Sequence, residues 1–378
     1  MKKALFVSTV GGFVAQFEMQ DIEILQQMGY EVHCAANFDL PMYQFQPEEM
    51  EKAGIHLHSI SIQKSPFSIY KNGRAFCRLR RIIKEEGITL VHCHTPVGGC
   101  LARLATLGRS HMSVLYTAHG FHFYKGAPLR NWLVYYPIER VLARFTDRLI
   151  TINHEDFELA QKFHYKKGGK ACKIPSVGLD TKRFSSTMSE QERLSMREKL
   201  GVPKQAFHLV TIAELCKNKN HQVVLRALAQ LGDADIFYTI CGRGFDQQEV
   251  KDLIDELGLQ KQVKLLGYRT DGEYILQTAD AFAFPSIREG LGMAPLEAMA
   301  CQVPVIAADN RGTREYMRNH KNGLVCPAMD VQKFATAIRY LKEHPTERKQ
   351  MGVCGRQAAC RFSKEKARQE MEKIYKEL

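Results

Sequence analysis

Short apolar runs recur along the chain, separated by stretches in which apolar residues return at helical spacing. Runs at 3–9, 32–36, 56–59, 90–94, 114–117 and 148–152 predict strands in the first half. Runs at 207–213, 236–242, 263–267, 281–285, 303–307 and 323–326 predict them in the second. These runs are continuous rather than alternating, which marks strands buried on both faces. The amphipathic segments between them then serve as crossover helices, so the pattern predicts an α/β fold with parallel sheets covered on both sides. The alternation lapses between 178 and 201, where the polar run Ser185-Ser186-Thr187-Met188-Ser189 precedes a short charged helix, a linker signature. Two doubly wound, Rossmann-like domains follow, residues 1–178 and 179–362. A charged helix at 363–378 carries Ala367, Met371, Ile374 and Leu378 at helical spacing and is expected to dock by that side.

Composition narrows the class without naming it. The 378 residues suit two domains, and 45% hydrophobic with 25% charged residues is ordinary for a globular protein. Eleven cysteines are scattered with no C-x-x-C pair, which fits reduced, buried thiols and a cytoplasmic setting. The apolar run after Lys2 and Lys3 is too short for a secretion signal and ends at Gly11-Gly12 as a strand ends. No segment approaches the roughly 20 apolar residues that span a bilayer. The net charge of +12 is spread over both halves without an aromatic-interleaved basic motif. Nucleic acid is therefore not the expected partner, and anionic phosphates or lipids are. The segment from Ile69 to Glu86 sets Ile69, Phe76, Leu79, Ile82 and Ile83 against Lys71, Arg74, Arg78, Arg81 and Lys84. Such a basic amphipathic helix packs on its own sheet and leaves a basic face for lipid phosphates.

The chemistry concentrates at one strand-to-helix junction, Pro285 to Ala300. Gly290 and Gly292 allow positive φ and close approach of a ligand, and Pro295 sits in the first helical turn. The amides of Gly290, Leu291, Gly292 and Met293 then face an anion. Glu289 lies in the loop, where it can accept hydrogen bonds from sugar hydroxyls. Glu297 lies about a turn into the helix, within reach of a ribose diol. Two solvated carboxylates would be the bland alternative, but neither the helix nor the glycines require both. Lys217-Asn218-Lys219-Asn220 follows the 207–213 strand, and a lysine there can hold a diphosphate. Gly242-Arg243-Gly244 and Gly267-Tyr268-Arg269 end the next two strands; each alone is a weak signal. Gly11-Gly12 lacks the full G-x-G-x-x-G fingerprint, which removes most support for a redox reading. His92 and His94 share a strand face but have no third metal ligand at a fitting spacing. The D-x-D at Asp233 and Asp235 precedes a strand and reads as a solvated turn.

The spacing Glu289-x(7)-Glu297, followed by A-M-A-C-Q-V-P-V-I-A, resembles the donor-site signature of the retaining glycosyltransferases of family four, which have the GT-B fold. The resemblance extends over nearly the whole chain and is nearest to capsular and exopolysaccharide enzymes of bacteria, through Tyr116 to Gly126 and Pro137-Ile138-Glu139-Arg140. It implies two domains facing a cleft, a C-terminal helix returning to the first domain, and a UDP-sugar donor bound without a metal cofactor. It also implies transfer of a hexose or N-acetylhexosamine to a polyprenyl-diphosphate-linked saccharide by a cytoplasmic enzyme held peripherally at the inner leaflet.

By the same resemblance Lys219 is the phosphate lysine, Glu289 grips the sugar, Glu297 the ribose, and His119 borders the reacting carbon. Gly11, Gly12, Lys217, Gly242, Arg243, Tyr268 and Arg269 surround the donor, while His122 belongs to the acceptor loop or to the structure. One departure stands out: Glu214 occupies a position where the family often has arginine, so it cannot hold phosphate. GT-B architecture also serves nucleotide-sugar epimerases, and a non-catalytic subunit of an assembly complex is a third reading. Intact Lys219, Glu289 and Glu297 weigh against that last one.

Overall fold

The structure, a computed structural model, describes residues 2–40, 46–109 and 111–378. The chain forms two compact units, Met1–Gly178 with Glu365–Leu378, and Leu179–Lys364. The first is built on seven strands: β1 (Lys2–Val10), β2 (Tyr30–Asn37), β3 (Ile55–Ser59), β4 (Leu90–His94), β5 (Ser113–Ala118), β6 (Arg148–Thr151) and β7 (Lys170–Lys173). They pair in parallel in the order β3-β2-β1-β4-β5-β6-β7. The second unit has β8 (Phe207–Ile212), β9 (Ile236–Cys241), β10 (Val263–Gly267), β11 (Ala281–Phe284), β12 (Val305–Ala308) and β13 (Gly323–Cys326). Its sheet is also parallel, ordered β10-β9-β8-β11-β12-β13. Central strands are buried along almost their whole length, as helices on both faces require. Strand β7 escapes the sequence pattern because Lys-Ala-Cys-Lys lies at a sheet edge, where both lysines stay exposed.

Two helices differ from expectation in which side chains they bury. In the helix Ile69–Glu85 the buried face is Asn72, Ala75, Leu79, Ile82 and Ile83, while Ile69 is exposed. Asn72 earns its place through hydrogen bonds: its Oδ1 accepts from the Gln63 amide at 2.9 Å and its Nδ2 donates to the Ser65 carbonyl at 3.0 Å. The last helix, Lys364–Lys376, buries Ala367, Met371, Ile374 and Tyr375, and Leu378 is exposed instead. It belongs to the first unit, where the Tyr375 hydroxyl lies 2.7 Å from His92 Nδ1 in the interior and Arg148 donates to the Glu377 carbonyl at 3.0 Å. Chain exit and return are paired, since Leu179 and Ser363 form a parallel bridge. Among the described residues no helix is long and apolar enough to cross a membrane.

Tyr375→Phe keeps the ring and deletes the hydroxyl beside a buried imidazole. The expected cost is about 1–3 kcal/mol in the stability of the first unit, measured as a lowered urea midpoint. An unchanged midpoint would show that this contact is dispensable.

Candidate active site

Topology places the sites before any side chain is considered. Successive crossovers reverse direction between β1 and β4 in the first sheet and between β8 and β11 in the second. At such a switch point the loops leaving the carboxyl ends splay apart and open a crevice.

In the second unit those loops are 213–220 after β8 and 285–292 after β11, and they are tied together. Asn218 Nδ2 donates to the Arg288 carbonyl at 2.9 Å, and the Ile287 amide donates back to the Asn218 carbonyl at 2.8 Å. Asn220, at φ 51°, donates to the Ala328 carbonyl at 2.7 Å. Lys219 is thereby held with its Nζ 2.5 Å from Glu289 Oε1 and 5.6 Å from the centre of the Phe284 ring. From the far side Asn310 Nδ2 donates to the Ser286 carbonyl at 2.8 Å, and Arg311 Nε donates to the Glu289 carbonyl at 3.3 Å. The Tyr316 hydroxyl donates to the Leu291 carbonyl at 3.2 Å. The positive φ falls on Gly292 (85°) and not on Gly290, and a β-carbon on Gly292 would come within 2.9 Å of the Phe284 ring. Gly292 caps the helix Met293–Ala300, placing Glu297 one turn inside.

Glu297 sits in a different environment from Glu289. Burial pushes its carboxyl up to about 7, with Arg183 opposing and Glu273 reinforcing that shift. Arg183 pairs with Glu273 at 2.8 Å, so it does not fully compensate Glu297. Lys217 and Glu214 are exposed; only the backbone of Glu214 is engaged, accepting from His221 Nε2 at 3.0 Å.

The glycine turns have a structural reason of their own. A β-carbon on Gly242, at φ 154°, would collide with the Ala213 carbonyl oxygen, and one on Gly11 would collide with the Phe38 ring. Neighbouring protein atoms therefore already account for these two glycines. Gly12 lies with Gly11 in the first turn of the helix Gly11–Phe17. Arg243 and Tyr268 are exposed, and Arg269 is paired with Asp271. Phe245 stands almost wholly exposed beside Gly244, where no spacing or motif in the sequence marks it. Asp233 pairs with Lys342 at 2.6 Å in the turn before β9, as a solvated turn should.

In the first unit the crevice at β1 and β4 holds a carboxylate between two imidazoles. Glu18 Oε1 is 3.4 Å from His94 Nδ1 and 3.4 Å from His119 Nε2, and Phe13 meets His119 edge-on at 4.8 Å. The third partner for His94 that sequence spacing failed to supply is thus Glu18, one helix away. Their ligand atoms lie within 4.8 Å of one another, the only such set with His33, His58 and Glu86 among the described residues that could hold a metal ion. Burial, with His92 and His119, holds His94 well below the usual histidine range and keeps it neutral. His92 is a packed residue: its nitrogens face the Tyr375 hydroxyl and, at 2.8 Å, Thr117 Oγ1, and burial lowers its pKa to about 3. Thr95 follows β4 at φ 63°, strained for a β-branched residue, and is held by Thr9, whose amide donates to Thr95 Oγ1 at 3.0 Å. Beside it opens a cavity of about 400 Å³ reaching His122, Tyr135 and Ile138.

Comparison with known proteins decides the family. Residues 192–358 match the model described as glycosyl transferases group 1, and residues 3–153 match glycosyl transferase 4-like. The chain is 41% identical over 379 residues to "Putative glycosyltransferase EpsD" of Bacillus subtilis, covering 99% of this chain and 96% of that one. This protein is a family-four glycosyltransferase. It is 26% identical to an Escherichia coli UDP-Gal:alpha-D-GlcNAc-diphosphoundecaprenol alpha-1,3-galactosyltransferase, over 86% of this chain and 83% of that one. The crystal structure of Anabaena HepE with UDP-glucose superimposes with a TM-score of 0.81 at 20% identity over all of both chains, which shows the GT-B fold.

The aromatic loop from Phe121 to Lys125 would be expected from its sequence to touch a lipid surface, and the structure corrects that expectation for this glycosyltransferase. Phe121 and Phe123 of the aromatic loop are buried, with the Phe121 amide donating to the buried Asp156 carboxylate at 3.0 Å, so they cannot meet a lipid surface. The exposed apolar side chains lie one element later, on the helix Leu129–Ala143: Leu129, Leu133, Val134, Ile138 and Val141. In that helix Glu139 neutralises the buried Arg103 at 2.8 Å.

Glu297 gives this glycosyltransferase a measurable signature. A carboxyl raised from 4.5 to about 7 holds its proton more tightly folded than unfolded. Its contribution to stability is complete below pH 4.5 and is lost as pH rises towards 7, a loss of about 3 kcal/mol. Glu297→Gln should therefore gain on the parent in unfolding free energy between pH 4 and pH 8. Parallel profiles for the two proteins would contradict the burial of this carboxylate.

Proposed function

We propose that the protein transfers a hexosyl or N-acetylhexosaminyl unit from a UDP-sugar, with retention of configuration, to a saccharide carried on polyprenyl diphosphate. The product would serve exopolysaccharide or capsule synthesis. The observation carrying this reading is the Lys219–Glu289 pair at the switch point of the second sheet, with Glu297 one turn behind it. UDP-glucose in HepE and the diphosphoundecaprenol acceptor in the name of the Escherichia coli relative support the choice of donor and acceptor.

In this reading the diphosphate replaces Glu289 as the partner of the Lys219 ammonium, and the amides at 290–293 share the charge that grows as the glycosidic bond breaks. Glu289, released, accepts from hydroxyls of the transferred sugar, and the Glu297 carboxyl hydrogen-bonds the ribose. The departing phosphate oxygen takes the acceptor proton, and attack occurs on the face it leaves. His119, positioned by Glu18, borders the reacting carbon. Lysine and helix amides, rather than a divalent cation, neutralise the diphosphate.

Glu297→Ala should weaken UDP binding in calorimetry, whereas Glu289→Ala should spare UDP and impair transfer. Lys219→Ala should lower kcat by about 10²–10³. EDTA should leave parental turnover intact; loss restored by Mg²⁺ or Mn²⁺ would overturn the metal-free account.

A lipid-linked acceptor places the enzyme at the inner leaflet as a cytoplasmic, peripheral protein. The outward face of the helix Ile69–Glu85 presents Lys71, Arg74, Arg78, Arg81 and Lys84 to solvent. Each contributes about 1 kcal/mol near an anionic surface, and salt screens that attraction. The protein should sediment with anionic vesicles at low salt and release at high salt. Arg74, Arg78 and Arg81 changed together to Glu should reduce sedimentation with UDP affinity unaltered. Equal sedimentation of parent and variant would leave this helix no role beyond packing.

A further inference from the structure

The cavity at the carboxyl ends of β1 and β4 is of the wrong chemistry for a sugar. A saccharide needs a polar partner for nearly every hydroxyl, but the walls are dominated by Val10, Phe13, Val97, Leu101, Tyr135 and Ile138. Four polar residues of the lining, Thr9, Thr95, Asn72 and Glu139, are already engaged with protein. Thr9 Oγ1 and Thr95 Oγ1 lie 2.9 Å apart and Thr95 Oγ1 also donates to the His94 carbonyl at 2.5 Å. Asn72 is committed to Gln63 and Ser65, and Glu139 to Arg103. A volume of about 400 Å³ lies within the range of small-molecule pockets.

The cavity also has direction. Ile138 lines it yet is 43% exposed, and Val134 and Val141, one turn either side, continue the apolar surface along the helix Leu129–Ala143. The exposed Lys64 stands at the lining as a cation.

We infer that this cavity binds the first isoprenoid units of the acceptor lipid, the chain continuing along the Val134, Ile138 and Val141 surface while Lys64 meets the diphosphate. This rests on the lipid-linked acceptor proposed above and adds where its apolar part is recognised. Apolar chain binding of this kind grows with the area removed from water, so affinity should depend on tail length as well as on the sugar.

The test is calorimetry on the full chain in saturating UDP, so that the donor diphosphate site is occupied, with farnesyl diphosphate and methyl diphosphate as probes. Farnesyl diphosphate should bind at least tenfold more tightly. Ile138→Glu, on the exposed helix face, should remove most of that advantage with UDP affinity unchanged, and Leu101→Gln should do the same from the inner wall. Equal affinity of the two probes would overturn the inference, as would farnesyl binding unaffected by both variants. Displacement of farnesyl diphosphate by an equal concentration of dihexanoylphosphatidylglycerol would also overturn it, assigning the cavity to a membrane acyl chain. Transfer assays separate this from the function itself. Tail-independent transfer to lipid-linked saccharides would remove the cavity's role and leave the acceptor reading standing. Transfer only to lipid-free saccharides, despite tight farnesyl binding, would do the reverse.

Discussion

Parallel strands cannot be joined by tight turns. Every connection must cross back over a face of the sheet, so each strand delivers the chain to the same edge, and polar residues barred from the apolar interior collect there. Both units of this protein obey that constraint. Its consequence is that Lys219 and Glu289, 70 residues apart, meet because β8 and β11 are neighbours at a point where the crossovers reverse. The same logic brings Thr9 to Thr95 in the first unit, across 86 residues.

Meeting is not enough for catalysis, which needs groups held before the substrate arrives. The supporting shell is made largely of amides and carbonyls: Asn218 and Asn310 clamp the Glu289 loop from opposite sides, and Arg311 holds its carbonyl. Side-chain carboxamides suit this role because one group both donates and accepts at fixed geometry without adding charge. Lys219 and Glu289 hold their two charges against each other. Any anion reaching Lys219 must compete with Glu289 for it.

The fold was largely legible because burial on both faces leaves a continuous apolar run, a signal independent of context. Twelve expected strands appear, and the thirteenth, Lys170–Lys173, is hidden because its two exposed lysines at the sheet edge leave no apolar run to read. The junction at 285–300 was legible as a turn and helix start because glycines, cap and carboxylates fall within one stretch. Glu18 was not: its meeting with His94 and His119 depends on how a helix lies over the sheet, which local spacing does not encode. Nor were Asn310 and Arg311, whose partners are backbone atoms and impose no residue type on the loop they hold. The glycines misled in a particular way. Gly11 and Gly242 are demanded by Phe38 and Ala213, and a sequence cannot tell a neighbouring side chain from a ligand.

The segment 365–378 completes a unit whose other strands all precede residue 179. During synthesis the second unit emerges whole before that segment does, so the first sheet must wait with His92 lacking its tyrosine partner and the surface beneath the last helix uncovered. The second unit can therefore complete its fold while the first still lacks the helix that covers it, and for that interval the first unit stays open to chaperones and to premature association.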